Sequence, residues 1–249
     1  YVIAGHSNSP GISSGNTDIY LIKIDQNGNL IWQKGHGNPA FPNHEWAYDI
    51  IQLPDEGFLA VGGRNRYSQG SKNGLVLRTD KEGKLLWEKE FLEEGQANEI
   101  IYSISNTNNG NYFICSTANS LAEPGVYQPK IAKMDMEGNI DWQRSFAANG
   151  KSYHRFSATG TENGDIVLVG SSSRKVTTGY DEDAFMVRID DKGNIIWSFA
   201  YGTYDNDDWG WSVFETAQNN LVFVGSTKSF GASLFDIYLV GTNAEGISQ

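Results

Sequence analysis

The strongest constraint on this fold is a repeat of constant length. Four tryptophans follow one another at steps of 55 residues: Trp32, Trp87, Trp142 and Trp197. Aspartates keep the same step: Asp25, Asp80, Asp135 and Asp190. Basic residues and glycines do so as well: Lys23, Arg78, Lys133 and Arg188, then Gly28, Gly83, Gly138 and Gly193. A period of this size indicates a repeat architecture.

Each repeat divides into four short apolar segments. In residues 46–91, segments typical of strands are separated by turn residues such as Pro54-Asp55-Glu56-Gly57 and Asp80-Lys81-Glu82-Gly83. Short strands at such spacing predict an all-β sandwich, barrel or propeller. Four strands in a repeat of about 50 residues favour the β-propeller, whose blades are four-stranded antiparallel sheets.

We predict one propeller domain over residues 1–249, with five blades of which the first and last are incomplete. The approximate blade bounds are 1–37, 45–92, 98–147, 153–201 and 208–249. The last blade is atypical, because Gly241 and Asn243 stand where the basic residue and the aspartate stood. An arc cut from a larger ring is the alternative.

The recurring residues have mechanical roles in this prediction. The aspartate accepts hydrogen bonds from the amides of its turn, and the glycine takes the positive φ that closes the hairpin. The tryptophan is an apolar anchor against the neighbouring blade. The basic residue shares a strand face with the aspartate two positions later, which predicts a local ion pair.

Composition limits the partners. The formal net charge is −11, with 30 acidic and 19 basic residues. This field repels phosphate groups, so nucleic acid is not expected as a partner and anionic membranes are poor candidates, whereas cations and neutral sugars remain. There is no apolar run of the roughly 18 residues that a transmembrane segment needs. The chain opens inside a strand without an initiator methionine, so we expect it to be part of a longer polypeptide.

The repeats resemble those of secreted and surface-anchored bacterial proteins, particularly of the Bacteroidetes. The resemblance rests on Asp18-Ile19-Tyr20-Leu21-Ile22-Lys23-Ile24-Asp25 through Trp32, and on Tyr201-Gly202 followed by Asp208-Trp209. It implies an extracellular or cell-surface propeller whose partners are proteins or glycans. The repeats are also distantly similar to quinoprotein propellers, but their glycine follows the aspartate by three residues instead of four, so no quinone cofactor is expected.

Acidic residues stand just ahead of the first strand of several blades. They are Glu45, Glu99 and Asp208, with His154 near the equivalent place in the fourth blade. Each acid can cap its own strand or turn. Alternatively, the acids form a ring at one channel mouth that holds a cation. Asp205, Asp207 and Asp208 offer the oxygen ligands that Ca²⁺ prefers, so calcium is the one cofactor considered.

Aromatic residues accompany these acids. Trp46, Trp209, His44 and Tyr204 suit stacking on sugar rings. Along the first strands, an aromatic position is followed by a small polar or acidic one. The aromatic set is Tyr48, Tyr102, Phe156 and Trp211, and the next set is Asp49, Ser103, Ser157 and Ser212. We expect the aromatics to pack between blades.

Two classes of function follow from these residues. The main interpretation is a non-catalytic extracellular scaffold that presents loops for binding, without enzyme activity. The alternatives are a carbohydrate-binding module, or a glycoside hydrolase that uses two channel-mouth carboxylates among Glu45, Asp49, Glu99, Asp208 and Glu215. Such a pair would lie about 5–5.5 Å apart for retention or 6.5–9.5 Å apart for inversion.

Overall fold

Strands alone make up the regular structure of the described chain. The computed structural model describes residues 1–13, 16–37, 43–66, 71–91, 96–106, 110–120, 126–146, 152–176, 179–203, 206–231 and 234–248. Within these ranges there are eighteen strands and no helix, and hence no helix that could cross a membrane. The chain is an all-β propeller of five blades with incomplete first and last blades, as predicted.

The chain forms two compact units. The first comprises residues 1–104 and 120–122, and the second comprises residues 105–119 and 123–249. The prediction of one domain over residues 1–249 stays a prediction, and each unit is described by itself.

The first unit contains the first two blades and the start of the third. The first blade has three strands: β1 (Val2–Ser7), β2 (Asp18–Ile24) and β3 (Leu30–His36). The second has four: β4 (His44–Gln52), β5 (Phe58–Arg66), β6 (Ser71–Thr79) and β7 (Leu85–Phe91). Neighbours in sequence pair antiparallel within each blade. The third blade begins with β8 (Gln96–Asn106), which makes one parallel pair with β6 between Asn98 and Lys72.

The second unit contains the remaining strands. The third blade continues with β9 (Tyr112–Ser120), β10 (Tyr127–Met134) and β11 (Ile140–Ser145). The fourth has β12 (Ser152–Gly160), β13 (Ile166–Val176), β14 (Gly179–Ile189) and β15 (Ile195–Tyr201). The fifth has β16 (Asp208–Glu215), β17 (Leu221–Thr227) and β18 (Asp236–Thr242). Pairing is again antiparallel between successive strands.

The repeated hairpin turns have the predicted geometry. Asp25 Oδ1 accepts hydrogen bonds from the amides of Asn27 and Asn29, each at 2.8 Å. Gly28 has a φ of 83°, in the left-handed region that favours glycine. Because the side-chain amide of Asn29 and the turn amides bind the Asp25 carboxylate, the pKa of Asp25 lies below its ordinary value. In the fifth blade Asn243 Oδ1 accepts from the Ile247 amide at 2.9 Å, so asparagine serves the same turn.

Three of the recurring tryptophans connect their own blade to the next one. Trp32 Nε1 donates to the Lys81 carbonyl at 3.2 Å, and Trp142 Nε1 donates to the Asp191 carbonyl at 3.0 Å. Trp197 Nε1 donates to the carbonyl of Ala244 at 3.2 Å. Each acceptor directly follows the Asp or Asn of the next blade's turn. The predicted anchoring against the neighbouring blade is confirmed for these three indoles.

The recurring basic residues do not pair as predicted. Arg78 bonds Asp55 at 2.5 Å, and Arg188 bonds Asp165 at 2.9 Å, instead of the aspartates two positions later. The predicted partner Asp80 accepts from the amides of its own turn. The carboxylate that reaches Arg78 comes from the hairpin between β4 and β5, which lies beside β6.

The core lies between successive blades. In the first unit Ile19 and Leu21 of β2 pack with Ala47, Ala60, Leu75 and Leu77 of the second blade. In the second unit Ala184 and Met186 of β14 pack with Val213, Leu221, Phe223 and Val240 of the fifth blade. In both pairs one face of the earlier blade is thus covered by the blade that follows it.

A β-bulge in the first strand of a blade determines whether the aromatic residue of that strand is buried or exposed. Tyr48 and Trp211 have no opposed residue, because the register shifts between Ala47 and Asp49 and between Gly210 and Ser212. Both side chains are exposed. In β12 the shift falls one residue earlier, so that Phe156 pairs with Gly170 and is buried. The expectation of inter-blade packing therefore holds for Phe156, and also for Tyr48, whose ring centroid lies 5.0 Å from that of Tyr102 in the third blade. The exposed Trp211 instead contacts Trp209 of its own blade.

Candidate functional site

A buried cluster of charges lies where β4, β5 and β7 meet in the first unit. Glu45 on β4 pairs in register with Arg64 on β5, and Arg64 Nε donates to Glu45 Oε1 at 2.8 Å. Glu45 is 1% exposed. Because a buried carboxylate and a buried guanidinium each lose hydration, their ion pair is maintained only by good geometry and further hydrogen bonds.

Arg64 binds two more carboxylates, both on the outer strand β7. Its Nη2 lies 2.9 Å from Glu88 Oε1, and its Nη1 lies 2.6 Å from Glu90 Oε1. Asn73 Nδ2 donates to Glu90 Oε2 at 2.6 Å. Glu88 and Glu90 alternate with Lys89, so they share one face of β7. We call Glu45, Arg64, Asn73, Glu88 and Glu90 the Arg64 cluster.

The Arg64 cluster reaches solvent through Glu88. The side chain of Glu88 is 35% exposed, whereas those of Glu90, Arg64 and Glu45 are 17%, 8% and 2% exposed. A molecule in solution can therefore meet the Glu88 carboxylate directly. The Arg64 guanidinium fixes its position and links it to the two deeper carboxylates.

Burial changes the proton affinity of the deepest acid. Loss of hydration raises the pKa of Glu45 to about 7, against the opposing effect of Arg64, and the charges of Asp18 and Glu88 raise it further. Glu45 Oε2 is buried and has no hydrogen-bond partner among the described residues. Burial by itself would lower the pKa of Arg64. Its bonds with Glu90 and Glu88 outweigh that effect, so the pKa of Arg64 lies above its ordinary value. Glu45 is thus the carboxyl of the Arg64 cluster that gains or loses a proton near neutral pH.

A histidine borders this cluster. Burial lowers the pKa of His36, with Glu88 acting in the opposite direction, so its imidazole is neutral at pH 7. Its Nε2 atom is buried without a hydrogen-bond partner in the described ranges. A second histidine, His44, accepts a hydrogen bond at Nδ1 from the amide of Thr17 at 3.3 Å.

The acids that the sequence placed ahead of the first strands are all buried. Glu99 and Asp208 are as inaccessible as Glu45. In the second unit Asp208 accepts hydrogen bonds from Ser229 Oγ at 2.7 Å, from the Thr203 amide at 3.3 Å and from Thr227 Oγ1. Asp208 therefore caps its own loop, one of the two roles considered for it.

Two of the three candidate calcium ligands, Asp207 and Asp208, already have other partners. Asp207 Oδ2 lies 2.6 Å from Lys228 Nζ, and Asp205 lies outside the described residues. No group of three or more His, Cys, Asp or Glu side chains that could hold a metal occurs within the described ranges. Calcium binding stays a prediction.

The remaining predicted site residues are distributed over the two units. In the first unit Asp49 Oδ2 accepts from Ser103 Oγ and from the Ile104 amide, both at 3.0 Å, and the Trp46 indole lies against Gly63. In the second unit Trp209 donates to Glu182 and stacks on Phe235 with ring centroids 4.4 Å apart. The side chain of His154 and the whole of Tyr204 lie outside the described residues.

Sequence reasoning found only one member of the Arg64 cluster. It singled out Glu45 but missed Arg64, Asn73, Glu88 and Glu90, and also His36 beside the cluster. A usable signal was the alternation Glu88-Lys89-Glu90 in an outer strand, which places two acids on one face. The arginine that they bind is determined by the registers of β5 with β6 and of β6 with β7, which the sequence did not provide.

Comparison with known proteins gives both a family and a fold. The family model described as Arylsulfotransferase (ASST) matches residues 64–204, more than half of the chain. No curated protein matches the chain significantly.

Solved structures with similar folds cover nearly the whole chain. A protein of unknown function from Dyadobacter fermentans has 14% identity and a TM-score of 0.65, covering 98% of this chain and 76% of that one. An alpha-L-arabinanase of Penicillium chrysogenum in complex with arabinobiose has 15% identity and a TM-score of 0.57, covering 99% and 72%. A B. megaterium levansucrase mutant has 11% identity and a TM-score of 0.52, covering 92% and 71%. These likenesses support the propeller fold.

The family match overturns the expected function. The interpretation as a non-catalytic binding scaffold is wrong, and so is the expectation that the chain is no enzyme, because a model of a transferase family spans residues 64–204. The sequence misled because its recurring residues all serve the turns and the contacts between blades. Among the alternatives weighed from the sequence, an enzyme that uses carboxylates agrees better with this finding.

Proposed function

Because this chain belongs to the arylsulfotransferase (ASST) family, we propose that it is an enzyme that transfers a sulfuryl group from an aryl sulfate to a hydroxyl acceptor. The observation that carries the proposal is the family match, which begins at Arg64 and includes Glu88 and Glu90 of the Arg64 cluster. The cluster supplies what the reaction needs in addition to a substrate pocket, namely a carboxylate in contact with solvent and a nearby proton.

The proposed reaction moves one sulfuryl group and one proton. The bond between sulfur and the aryl oxygen breaks, and a new bond forms between sulfur and the acceptor oxygen. The acceptor hydroxyl loses its proton, and the departing aryl oxide gains one. The reaction therefore consumes no oxidant or reductant, but it requires a group that accepts and returns a proton.

Glu88 is our candidate for that group. It is the most exposed carboxylate of the Arg64 cluster, and Arg64 holds it at 2.9 Å. With all three glutamates ionised the cluster is anionic and repels a sulfate ester. Because the pKa of Glu45 is about 7, protonation of Glu45 removes one negative charge at neutral pH. We therefore expect turnover to decline as the pH rises through about 7.

Cleavage of a glycosidic bond is the second candidate. It is favoured by the raised pKa of Glu45 in the same cluster as Glu88, whose side chain pairs with Arg64. Paired carboxyls with separated pKa values are the acid and base of many glycoside hydrolases. Neutral sugars also avoid repulsion by a chain whose net charge is −11.

One chromophore distinguishes the two candidates. The chain is incubated with 4-nitrophenyl sulfate, with and without a phenolic acceptor, and in parallel with a panel of 4-nitrophenyl glycosides. Release of 4-nitrophenol from the sulfate that depends on the acceptor supports sulfuryl transfer, whereas release from a glycoside supports the second candidate. Absence of release from every substrate would overturn both.

Two variants test the assignment of the site. Glu88→Gln keeps the shape and one acceptor oxygen, so we expect it to lower kcat at least tenfold, in line with the loss of a general base. Glu56→Gln changes an exposed glutamate of the same unit that is paired with Lys81, and serves as the control. Equal activity of the two variants would remove Glu88 from the reaction.

The cellular setting is also a proposal. The resemblance of the repeats to secreted and surface-anchored bacterial proteins supports action outside the cell or at its surface. Acceptor hydroxyls on glycans or on proteins are compatible with that setting. Fractionation of the source cells, with the activity assayed in each fraction, tests it.

A further inference from the structure

Two tryptophans occupy the same position of the repeat in the second and fifth blades. They are Trp46 on β4 and Trp209 on β16. Each follows by two residues a side chain that accepts a hydrogen bond from a backbone amide of the preceding blade. In the first unit Thr17 N donates to His44 Nδ1, and in the second unit Glu182 N donates to Asp207 Oδ1, both at 3.3 Å. The surroundings of the two tryptophans can therefore be compared position by position.

The chain itself provides Trp209 with two partners. Its Nε1 donates a hydrogen bond to a carboxylate oxygen of Glu182. Its ring stacks on Phe235, with ring centroids 4.4 Å apart and 26° between the ring planes. Trp209 thus contacts one anionic oxygen and one aromatic ring.

Neither kind of partner stands at the equivalent positions around Trp46. Thr17 has the place of Glu182 and carries no carboxylate. Lys72 has the place of Phe235, because each directly precedes the third-strand residue that is aligned with the buried acid of its blade. Trp46 Nε1 is buried and has no hydrogen-bond partner among the described residues. Such a donor has lost its hydrogen bond to water and gains from any acceptor that reaches it.

The indole of Trp46 is a rigid platform beside an exposed cation. A Cβ at Gly63 would lie 3.0–3.2 Å from three atoms of the indole, so the ring lies directly on the backbone of β5. Gly63 pairs with Gly74 on β6, and strand alternation places Lys72 on the same face as Gly74. Trp46 is partly exposed and Lys72 is exposed. The platform therefore offers an aromatic face, an unused N–H donor and a positive charge.

We propose that Trp46 binds the aryl sulfate donor of the reaction, an inference that rests on the proposed function. A sulfate oxygen accepts from Trp46 Nε1, and the aryl ring lies on the indole. The ligand then supplies the two groups that Glu182 and Phe235 supply to Trp209, an anionic oxygen and an aromatic ring. The charge of Lys72 complements the sulfate ester. Trp46 directly follows Glu45, so the donor is bound by the blade that carries the Arg64 cluster.

Binding is measured by heteronuclear NMR during titration with 4-methylbenzenesulfonate. This probe keeps the ring and the anionic oxygens, but its carbon–sulfur bond prevents sulfuryl transfer. The Nε1–H signal of Trp46 is identified by its absence from the spectrum of Trp46→Phe, and we expect it to move downfield and to saturate. Inorganic sulfate and phenol each carry only one of the two groups, so we expect each to bind at least about tenfold more weakly. A Trp46 signal that stays in place throughout the titration would overturn the proposal.

Matched variants test the role of the unused donor. Trp46→Phe keeps an aromatic ring without the N–H, so its Kd for the probe should rise about tenfold or more, as for loss of a hydrogen bond to a charged group. Trp209→Phe is the control and should bind like the wild type, because that N–H is already used by Glu182. Thr17→Glu gives Trp46 the carboxylate that Trp209 has, so it should block binding. Circular dichroism checks that each variant retains its strands, and equal affinities of Trp46→Phe and the wild type would overturn the proposal.

Failure of this inference is distinguishable from failure of the proposed function. Binding of the probe that depends on Trp46, in a chain that transfers no sulfuryl group, supports the binding site and removes the enzymatic function. Sulfuryl transfer with the same KM for 4-nitrophenyl sulfate in Trp46→Phe and in the wild type removes the binding site and leaves the function.

Discussion

Replacing Glu45 with glutamine should remove a pH dependence of stability that this one residue causes. Glu45 is buried beside Arg64, and burial raises its pKa from 4.5 to about 7. The folded chain then binds a proton more tightly than the unfolded chain does. Protonated Glu45 contributes its full share of the folding stability below pH 4.5, and this contribution is lost as the pH rises through about 7. Glutamine cannot ionise, so the variant should lack this decline.

The magnitude follows from the pKa and from the surroundings of the carboxyl. A pKa that rises from 4.5 to about 7 corresponds to about 3 kcal/mol if it is converted in full. Because Glu88 and Glu90 expose the edge of the cluster to solvent, screening reduces the effect, and we expect about 1–2 kcal/mol between pH 4.5 and pH 7.5. Acids that bind cations or amides in the folded chain, such as Asp25, give the opposite slope, so the comparison must be a difference between variants.

The assay is urea denaturation of the wild type and of Glu45→Gln at several pH values from 4.5 to 7.5. The free energy of unfolding of the variant, relative to the wild type, should increase by about 1–2 kcal/mol across this range. Glu56→Gln controls for the loss of a surface glutamate and should show no such trend. A difference that stays constant with pH would refute the argument that burial raises the pKa of Glu45.

Two further predictions use pairs of matched positions. Gly193 has a φ of 85° and a Cβ there would lie 2.9 Å from the Trp142 ring, whereas Gly28 has a φ of 83° with open space around it. Gly28→Ala should cost about 1 kcal/mol and Gly193→Ala about 2–3 kcal/mol in chemical denaturation, and equal costs would contradict the role of the tryptophan contact. Asp208→Asn should cost about 1–3 kcal/mol because it disturbs a buried acceptor of three donors. Asp207→Asn breaks the partly exposed pair with Lys228 but keeps an oxygen for the Glu182 amide, so it should cost under about 1 kcal/mol.

The local geometry of the blades was predictable because it depends on residues close together in the sequence. Asp25 and Gly28 form one turn, and their roles follow from the chemistry of an acceptor side chain and of a residue without Cβ. The anchoring role of Trp32 was predictable as well, since a large side chain in every repeat must be buried against a neighbour. Its acceptor, the Lys81 carbonyl, could not be named without the structure.

Features that depend on strand register could not be predicted. One residue of difference in the position of a bulge buries Phe156 and exposes Tyr48 and Trp211. The partner of Arg78 is Asp55, because pairing of β5 with β6 brings the preceding hairpin alongside. Arg64 binds three glutamates from two other strands for the same reason, so the cluster was not visible in any single repeat.

The function was misjudged because the repeat obscures it. Residues that recur at steps of 55 serve the turns and the contacts between blades, and they dominate the sequence. Only Glu45 has acidic counterparts in other blades, whereas Glu88 and Glu90 have none at steps of 55 residues, so the cluster as a whole carries no periodic signal. A site of this kind is found from contacts and burial, and the enzyme family from comparison.

Catalytic turnover tests the central claim most directly. The purified chain is incubated with excess 4-nitrophenyl sulfate and a phenolic acceptor, and the sulfated acceptor is quantified by mass spectrometry against the amount of protein. The account predicts many sulfated acceptor molecules per chain, with 4-nitrophenol released in equal number. No sulfated acceptor beyond a control with heat-denatured protein would contradict it.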